Sequence, residues 1–205
     1  MAGDKPTDRG QLREALLVLR CQAGDEGAFS DLFDRFSHPT LRYLEGLLGV
    51  DAAADAQQEV WLAVYRGISR LTNPGAFRTW LYQITRHRAI DILRKEKRES
   101  ELLAAVMNEE PVSPEEPANS LLESWDRRSL EAGLAQLSTP HREVLLLRFW
   151  EEMGYADIAL ISGCSVGTVR SRLHHAKRRL RDALERSRAE EDRGSAETMS
   201  EGGGE

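Results

Sequence analysis

Residues Tyr155 to Arg172, YADIALISGCSVGTVRSR, decide the fold. Ile158 and Val169 are apolar where two short helices crossing at a tight turn must both face a core. Ala159 is small where such helices approach most closely, and Gly163 suits a turn residue with positive φ. Ser165 is placed to cap the second helix, its hydroxyl accepting from an otherwise orphaned backbone N–H of the first turn, so that residues 166–181 read as one helix. The outer face of that helix carries Arg170, Arg172 and Lys177 together with Ser171, His174 and His175. Arginine makes paired hydrogen bonds to guanine edges, and Ser or His bonds bases or phosphates. A helical hairpin in which Gly163 and Ser165 merely turn the chain has no need of such a face, so the motif reads as a DNA-binding helix-turn-helix.

Working outward, helical periodicity precedes the motif at Leu130, Leu134 and Leu137 and again at Val144, Leu145 and Leu147, and a basic helix follows it to about Arg188. Farther upstream, Ala28, Leu32, Phe33 and Phe36 recur at three- and four-residue spacing. So do Val60, Trp61, Val64, Tyr65 and Ile68, and then Trp80, Leu81, Ile84 and Ile90, which predicts three amphipathic helices. Gly49-Val50-Asp51 and Thr72-Asn73-Pro74-Gly75 break them. Between Glu109 and Ser120, three prolines sit among acids and small polar residues, a composition that buries too little apolar surface to order itself. No period-two alternation of useful length and no fixed repeat appears, so the chain reads as all-α. Its expected organisation is a compact helical bundle over 11–98, a flexible acidic linker over 99–126, a smaller helical module over 127–188 and a disordered tail over 189–205.

The net charge of −6 argues against a nucleic-acid binder only on average, because DNA meets a local surface. From Arg78 to Arg98 there are seven bases against two acids, and from Arg170 to Arg188 eight against two. Glu101 to Asp126 holds seven acids and no base, and six of the tail's charged residues are acids. Cys21 and Cys164 lie far apart, with no paired spacing for a disulfide framework or a zinc site. The apolar runs are far short of the ~20 residues that span a bilayer, and the first residues lack the apolar segment of a signal peptide. The sequence thus predicts a soluble cytoplasmic protein without membrane insertion and without cofactor. It also shows no His pair at metal-ligand spacing with a carboxylate, no Gly-rich phosphate loop and no grouped Ser-His-Asp or Cys-His set, which excludes the usual enzyme classes.

The stretch from Leu137 to Leu184, LSTPHREVLLLRFWEEMGYADIALISGCSVGTVRSRLHHAKRRLRDAL, resembles the C-terminal, promoter-reading domain of the extracytoplasmic-function (ECF) sigma factors. Upstream, DAQQEVWLAVYR (Asp55 to Arg66) and FRTWLYQITRHRAIDILRKEKR (Phe77 to Arg98) are similar to that family's polymerase-binding helix and its −10-reading, melting helix. The resemblance implies two small helical domains, a sigma region 2 bundle and a sigma region 4 helix-turn-helix. It further implies that the chain binds core RNA polymerase, directs promoter-specific initiation and answers to an anti-sigma factor.

By the same resemblance, Arg170, Ser171, His174 and His175 face −35 bases, with Arg172 and Lys177 on phosphates; the family often has arginine at the position of His175. For the −10 element it implies Asn73 beside a pocket for a flipped base, His87 where the family commonly has asparagine, and Arg86, Arg88, Arg94 and Lys95 along the backbone. Trp80 and Tyr82 stand among these cations, the mixture that stacks and holds single-stranded DNA, although the Trp80–Ile84 spacing also fits a core stripe. Asp55, Gln58, Glu59, Trp61 and Arg66 fall on the polymerase-gripping helix. There Asp55-Ala56-Gln57-Gln58-Glu59 replaces the family's usual Asp-Leu-Val-Gln-Glu, a departure expected to weaken the grip. Two rival readings are a helix-turn-helix transcriptional regulator and a sigma-like decoy acting through an anti-sigma partner. The first lacks a βαβ receiver pattern in the N-terminal half, and the basic recognition face speaks against the second. The acidic linker is expected to occupy a basic channel of the polymerase as a nascent transcript does.

Overall fold

The structure of the protein, a computed structural model, describes residues 8–101 and 127–201. Among these residues there is no strand. The first module is built from α1 (Asp8–Gln22), α2 (Glu26–Leu48), α3 (Val50–Gly67) and α4 (Phe77–Glu101). Asp25 starts α2 by accepting from the Ala28 N–H at 3.1 Å, and Gly49, at φ 84°, ends it and lets α3 begin one residue later. Two 3₁₀ turns, Ile68–Arg70 and Pro74–Ala76, join α3 to α4, the second capped by Asn73, whose Oδ1 accepts from the Gly75 N–H at 3.1 Å. Gln22 of α1 ties down the first of these turns by donating to the carbonyls of Ile68 and Leu71 at 2.9 and 2.8 Å. Pro39 lies inside α2, where it removes one ladder bond. Neighbouring side chains serve the carbonyls of that turn: Thr40 Oγ1 donates to Phe36 and Ser37, and Gln57 Nε2 donates to Ser37.

Val18, Leu32, Phe36, Val60, Trp61, Val64, Phe77 and Leu81 fill the first module's own core. Three of its four helices follow the apolar periodicity of the sequence. The fourth, α1, was not predicted, because its leucines do not share one buried stripe. Val18 is buried while Leu12, Leu16 and Leu19 are exposed.

The second module comprises α5 (Arg127–Ala135), α6 (Thr139–Leu145), a π turn (Leu146–Trp150), α7 (Tyr155–Ser162) and α8 (Val166–Glu201). The turn between α7 and α8 has the predicted chemistry. Gly163 adopts φ 63°, ψ 38°, and Ser165 Oγ accepts from the Thr168 N–H at 3.0 Å. Ile158 and Val169 are fully buried beneath the crossing. The helix α8 does not stop near Arg188 but continues to Glu201. Ala189, Glu190, Glu191, Ala196 and Glu197 are strong helix formers, and their propensity outweighs the one glycine at 194. Most of the linker, residues 102–126, lies outside the described residues.

The two modules are not separate bodies. Tyr43, Leu44 and Leu47 of α2 and Tyr82 and Ala89 of α4 belong to the same buried cluster as Val144, Leu145, Leu146, Leu147 and Met153. Contact is closest at Gly46, where an added Cβ would stand 2.7 Å from Leu146 Cδ1 and 3.4 Å from the Trp150 ring.

Substitution of Gly163 by Ala introduces no clash, since nothing lies within 4 Å of its Cβ position, but it forces a β-carbon into the left-handed region. Chemical denaturation is expected to show a loss of about 1–2 kcal/mol, from backbone strain alone.

Candidate nucleic-acid interface and module contact

The first turns of α8 hold the predicted −35 residues at different depths. Arg170 is exposed, with its guanidinium 5.9 Å from the Tyr155 ring centre, and Arg148 lies 5.3 Å from the same ring. Ser171, Arg172, His174, His175 and Lys177 are half-buried. Ser171 Oγ donates to the Thr168 carbonyl at 3.1 Å, and Arg172 Nη1 lies 3.8 Å from Cys164 Sγ. His175 meets His174 and His141 edge to face, at 5.4 and 6.4 Å between ring centres. Lys177 Nζ sits 4.9 Å above the Phe149 ring, and burial, then the charge of Arg148, lowers its pKa below the usual lysine value. A solvent-facing set led by Arg170 therefore grades into a set that also packs the helix onto α6 and the π turn.

The predicted −10 residues divide similarly. Asn73 is exposed, although its Oδ1 is occupied by the cap described above. His87, Arg94 and Lys95 are exposed, and Arg94 pairs loosely with Asp91 at 3.9 Å. Arg88 pairs with Glu59 of α3. Trp80 is half-buried against Gly67 and Phe77, in keeping with the core stripe. Tyr82, read as a possible stacking residue, is fully buried, and its hydroxyl donates to Glu151 Oε2. It faces the second module and not solvent, because it lies one turn from both Arg78 and Arg86 on the strip of α4 that the other module covers.

On α3, Asp55, Gln58, Glu59 and Arg66 line an exposed face, and Leu62 and Tyr65 lie on it too. Trp61 does not. At 6% exposure it packs edge-on against Phe29 and Phe33 in the core. Ala56 is buried and Gln57 bonds to Ser37, so the two departures from the usual pattern serve the module's own packing and leave the outer face alone.

Two buried carboxylates lie between the modules, and sequence reasoning missed them. Glu143 of α6, 1% exposed, accepts from Arg86 Nε of α4 at 2.6 Å. Glu151, 3% exposed at the end of the π turn, faces Arg42 Nη2 of α2 at 3.3 Å, Arg78 Nη2 of α4 at 3.5 Å and the Tyr82 hydroxyl. Arg42 Nη2 also donates to the Trp150 carbonyl at 3.1 Å, and Arg78 Nη2 to the backbone carbonyl of Glu151. Around these pairs, Thr79 donates to Asp157 at 3.2 Å, Gln83 to the Leu160 carbonyl at 3.2 Å and Arg142 to the Gly46 carbonyl at 3.3 Å. An acid in an amphipathic helix ordinarily marks a solvated face. The available signal was the setting of Glu143 and Glu151 at the two ends of the apolar run VLLLRFW, which leaves little room for a wet face.

Two helical modules, one presenting a helix-turn-helix and the other a helix lined with cations, define a DNA-binding transcription factor of the two-module class. Residues 32–99 match the family described as sigma-70 region 2, and residues 127–180 match sigma-70, region 4. The chain is 30% identical over 183 residues to the ECF RNA polymerase sigma-E factor of Haemophilus influenzae, covering 85% of this chain and 97% of that protein. It is 28% identical over 179 residues to the ECF RNA polymerase sigma factor SigW of Bacillus subtilis, covering 82% and 94%. Among solved structures it is similar to the sigma factor RpoE in complex with the anti-sigma factor NepR from Bartonella quintana. The TM-score is 0.61 and the identity 25%, over 76% of this chain and 97% of that one. The chain belongs to the ECF sigma factors of the sigma-70 family. It is a transcription initiation factor that acts through RNA polymerase, and no helix among its described residues is long and apolar enough to cross a membrane.

The module contact has a measurable alkaline consequence. Burial, reinforced by the charge of Glu143 at Tyr43 and of Glu151 at Tyr82, holds both phenols far above their ordinary value. A phenol raised in this way favours the folded state only below the unfolded value of about 10, and that stability is lost as the pH rises beyond it. Tyr43 and Tyr82 are expected to ionise only as the protein unfolds. A tyrosinate absorbance step that coincides with loss of helical circular dichroism, and that shrinks in a Tyr43→Phe/Tyr82→Phe variant, is the expected result.

Proposed function

We propose that this chain grips core polymerase with the outer face of α3, holds the −10 element along α4 and reads the −35 element with the first turns of α8. The carrying observation is Arg170, exposed one turn into a helix whose start is fixed by Gly163 and Ser165. Arg170, Ser171, His174 and His175 are assigned to bases, and Arg172 and Lys177 to phosphates. On the −10 side the set is Asn73, Trp80, His87, Arg88, Arg94 and Lys95, with Arg86 joining once it is released from Glu143. For the polymerase face, Leu62 and Tyr65 take the place proposed for Trp61, beside Asp55, Gln58, Glu59 and Arg66.

Residues 11–98 and 127–188 are the two working domains on this reading, joined by 99–126. The polymerase supplies all the chemistry and the chain itself catalyses nothing. Its place is the cytoplasm. A regulatory partner of the anti-sigma class belongs to the same proposal, supported by the similar RpoE having been solved with NepR.

Added to bacterial core polymerase, the purified protein is expected to start transcription at a subset of promoters, and alone to bind duplex promoters weakly. Arg170→Ala should cost about 1–3 kcal/mol through a matched −35 element only, whereas Lys177→Ala should weaken all promoters alike. Equal losses for Arg170→Ala on matched and mismatched elements would remove it from the base-reading set. Tyr65→Ala should reduce affinity for core polymerase with little change in stability, since the ring is exposed. Trp61→Ala should cost roughly 3–5 kcal/mol of folding energy.

A further inference from the structure

Arg170 is the exposed member of the set assigned to the −35 element, and its guanidinium makes no hydrogen bond or ion pair among the described residues. A free arginine on a helix surface samples many rotamers, and the freedom it gives up on binding weakens the contact it makes. What Arg170 has instead of a polar partner is the ring of Tyr155, whose centre lies 5.9 Å from its Cζ. We propose that Tyr155 is a positioning residue: its ring holds the Arg170 guanidinium ready for DNA and so sets the strength of discrimination at the base pair that Arg170 reads. The inference rests on the assignment of Arg170 to bases given above.

The fold fixes the ring. Tyr155 opens α7 directly after Gly154, whose carbonyl accepts from the Ile158 N–H at 3.0 Å, and Ile158 is fully buried. Side chains on a helix lean toward its N-terminus, which carries the Tyr155 ring back over the π turn. There it meets Arg148, whose guanidinium lies 5.3 Å from the ring centre while its Nη1 donates to the Met153 carbonyl at 2.9 Å. Arg148 is half-buried and tied to the backbone, whereas Arg170 is exposed beside the fully buried Val169. One ring therefore joins a fixed cation to a free one across the turn between α7 and α8. Attraction to an aromatic face consumes no N–H, so the whole fork of Arg170 stays available for the paired bonds that recognise guanine. A carboxylate in the same place would orient the arginine too, but it would occupy that fork and have to be displaced by the base. The Tyr155 hydroxyl makes no hydrogen bond among the described residues, which leaves the ring to carry the role.

The test combines the free full chain with the complete initiation complex. In the free chain, the ring should move the NMR resonances of the Arg170 δ-methylene and Nε–H upfield, an effect lost in Tyr155→Leu and kept in Tyr155→Phe. With core polymerase, transcription is compared on promoters that differ by single base pairs through the −35 element, and Arg170→Ala identifies the position that Arg170 reads. At that position Tyr155→Leu should lower discrimination about two- to fivefold, the weight of an exposed cation–π contact, and leave the other positions as in the wild type. Tyr155→Phe should restore it, and in the Arg170→Ala background Tyr155→Leu should change nothing further there. A packing defect weakens every element alike, so a uniform loss in Tyr155→Leu overturns the proposal. Equal losses in Tyr155→Phe and Tyr155→Leu overturn it in favour of a contact made by the hydroxyl. Absence of the ring-current shift in the wild type overturns the holding of Arg170 in the free chain. If Arg170→Ala loses discrimination at one position and Tyr155→Leu does not, the positioning role fails while the assignment of Arg170 stands. If Arg170→Ala loses discrimination nowhere, that assignment fails first and the positioning role falls with it.

Discussion

A carboxylate leaves water only where other groups replace its hydration, and Glu151 is the place where this constraint organises the molecule. Its oxygens are met by Arg42, Arg78 and Tyr82, which come from two helices of the opposite module. To bring them together, α2 and α4 must stand side by side with their basic strips facing α6 and the π turn. Once they do, Arg86 reaches Glu143 and Gly46 comes so close to Leu146 that a side chain there would require the Leu146 methyls to move. Charge pairing alone contributes little net stability here, because desolvation offsets much of the attraction. It instead fixes the register of the contact. The apolar cluster around it supplies the burial, and a mispaired register would strand a charge at a cost of several kcal/mol.

Much of the fold was legible in the sequence because it follows from local rules. Gly163 and Ser165 specify a left-handed turn and a cap through their own backbone and hydroxyl, and Gly49 marks the break between α2 and α3 in the same way. Most of the periodic apolar residues of α2, α3 and α4 do bury, Phe33 and Tyr65 being the exceptions. Local rules failed where burial is decided by something distant in the chain. Trp61 has the composition of an interface residue, and only the placement of Phe29 and Phe33 makes it core. Tyr82 lies in a basic-aromatic helix that suits stacking on DNA, and its partner is 69 residues away. The α1 helix escaped notice because it fully buries only Val18 while Leu12, Leu16 and Leu19 face outward.

The candidate site was legible to a similar degree and for the same reason. The face of α8 could be read from spacing, since a helix places every third or fourth residue together whatever surrounds it. The state of the −10 cations could not. Pairing with an acid in another module leaves no local signature in Arg86, whose neighbours look like those of any solvated arginine. The replacement at Ala56 and Gln57 is a further case. By resemblance it was expected to weaken the polymerase-gripping helix, whereas one residue packs against the core and the other bonds to the carbonyl of Ser37, beside Pro39.

Arg78 and Arg86 pair with an anion carried by the chain, and on the proposed assignment of α4 they compete with one carried by DNA; the two kinds of anion respond differently to the surroundings. Contacts with phosphates gain much of their strength from released counterions and fall steeply as salt rises. Glu143 and Glu151 are nearly dry, so mobile ions screen their pairs far less. The two carboxylates also hold their arginines intramolecularly, at an effective concentration that free DNA does not reach by diffusion alone. A net negative chain with two basic blocks is then physically coherent. Within the first block, the two buried acids neutralise Arg78 and Arg86, while the exposed Glu59 pairs with Arg88.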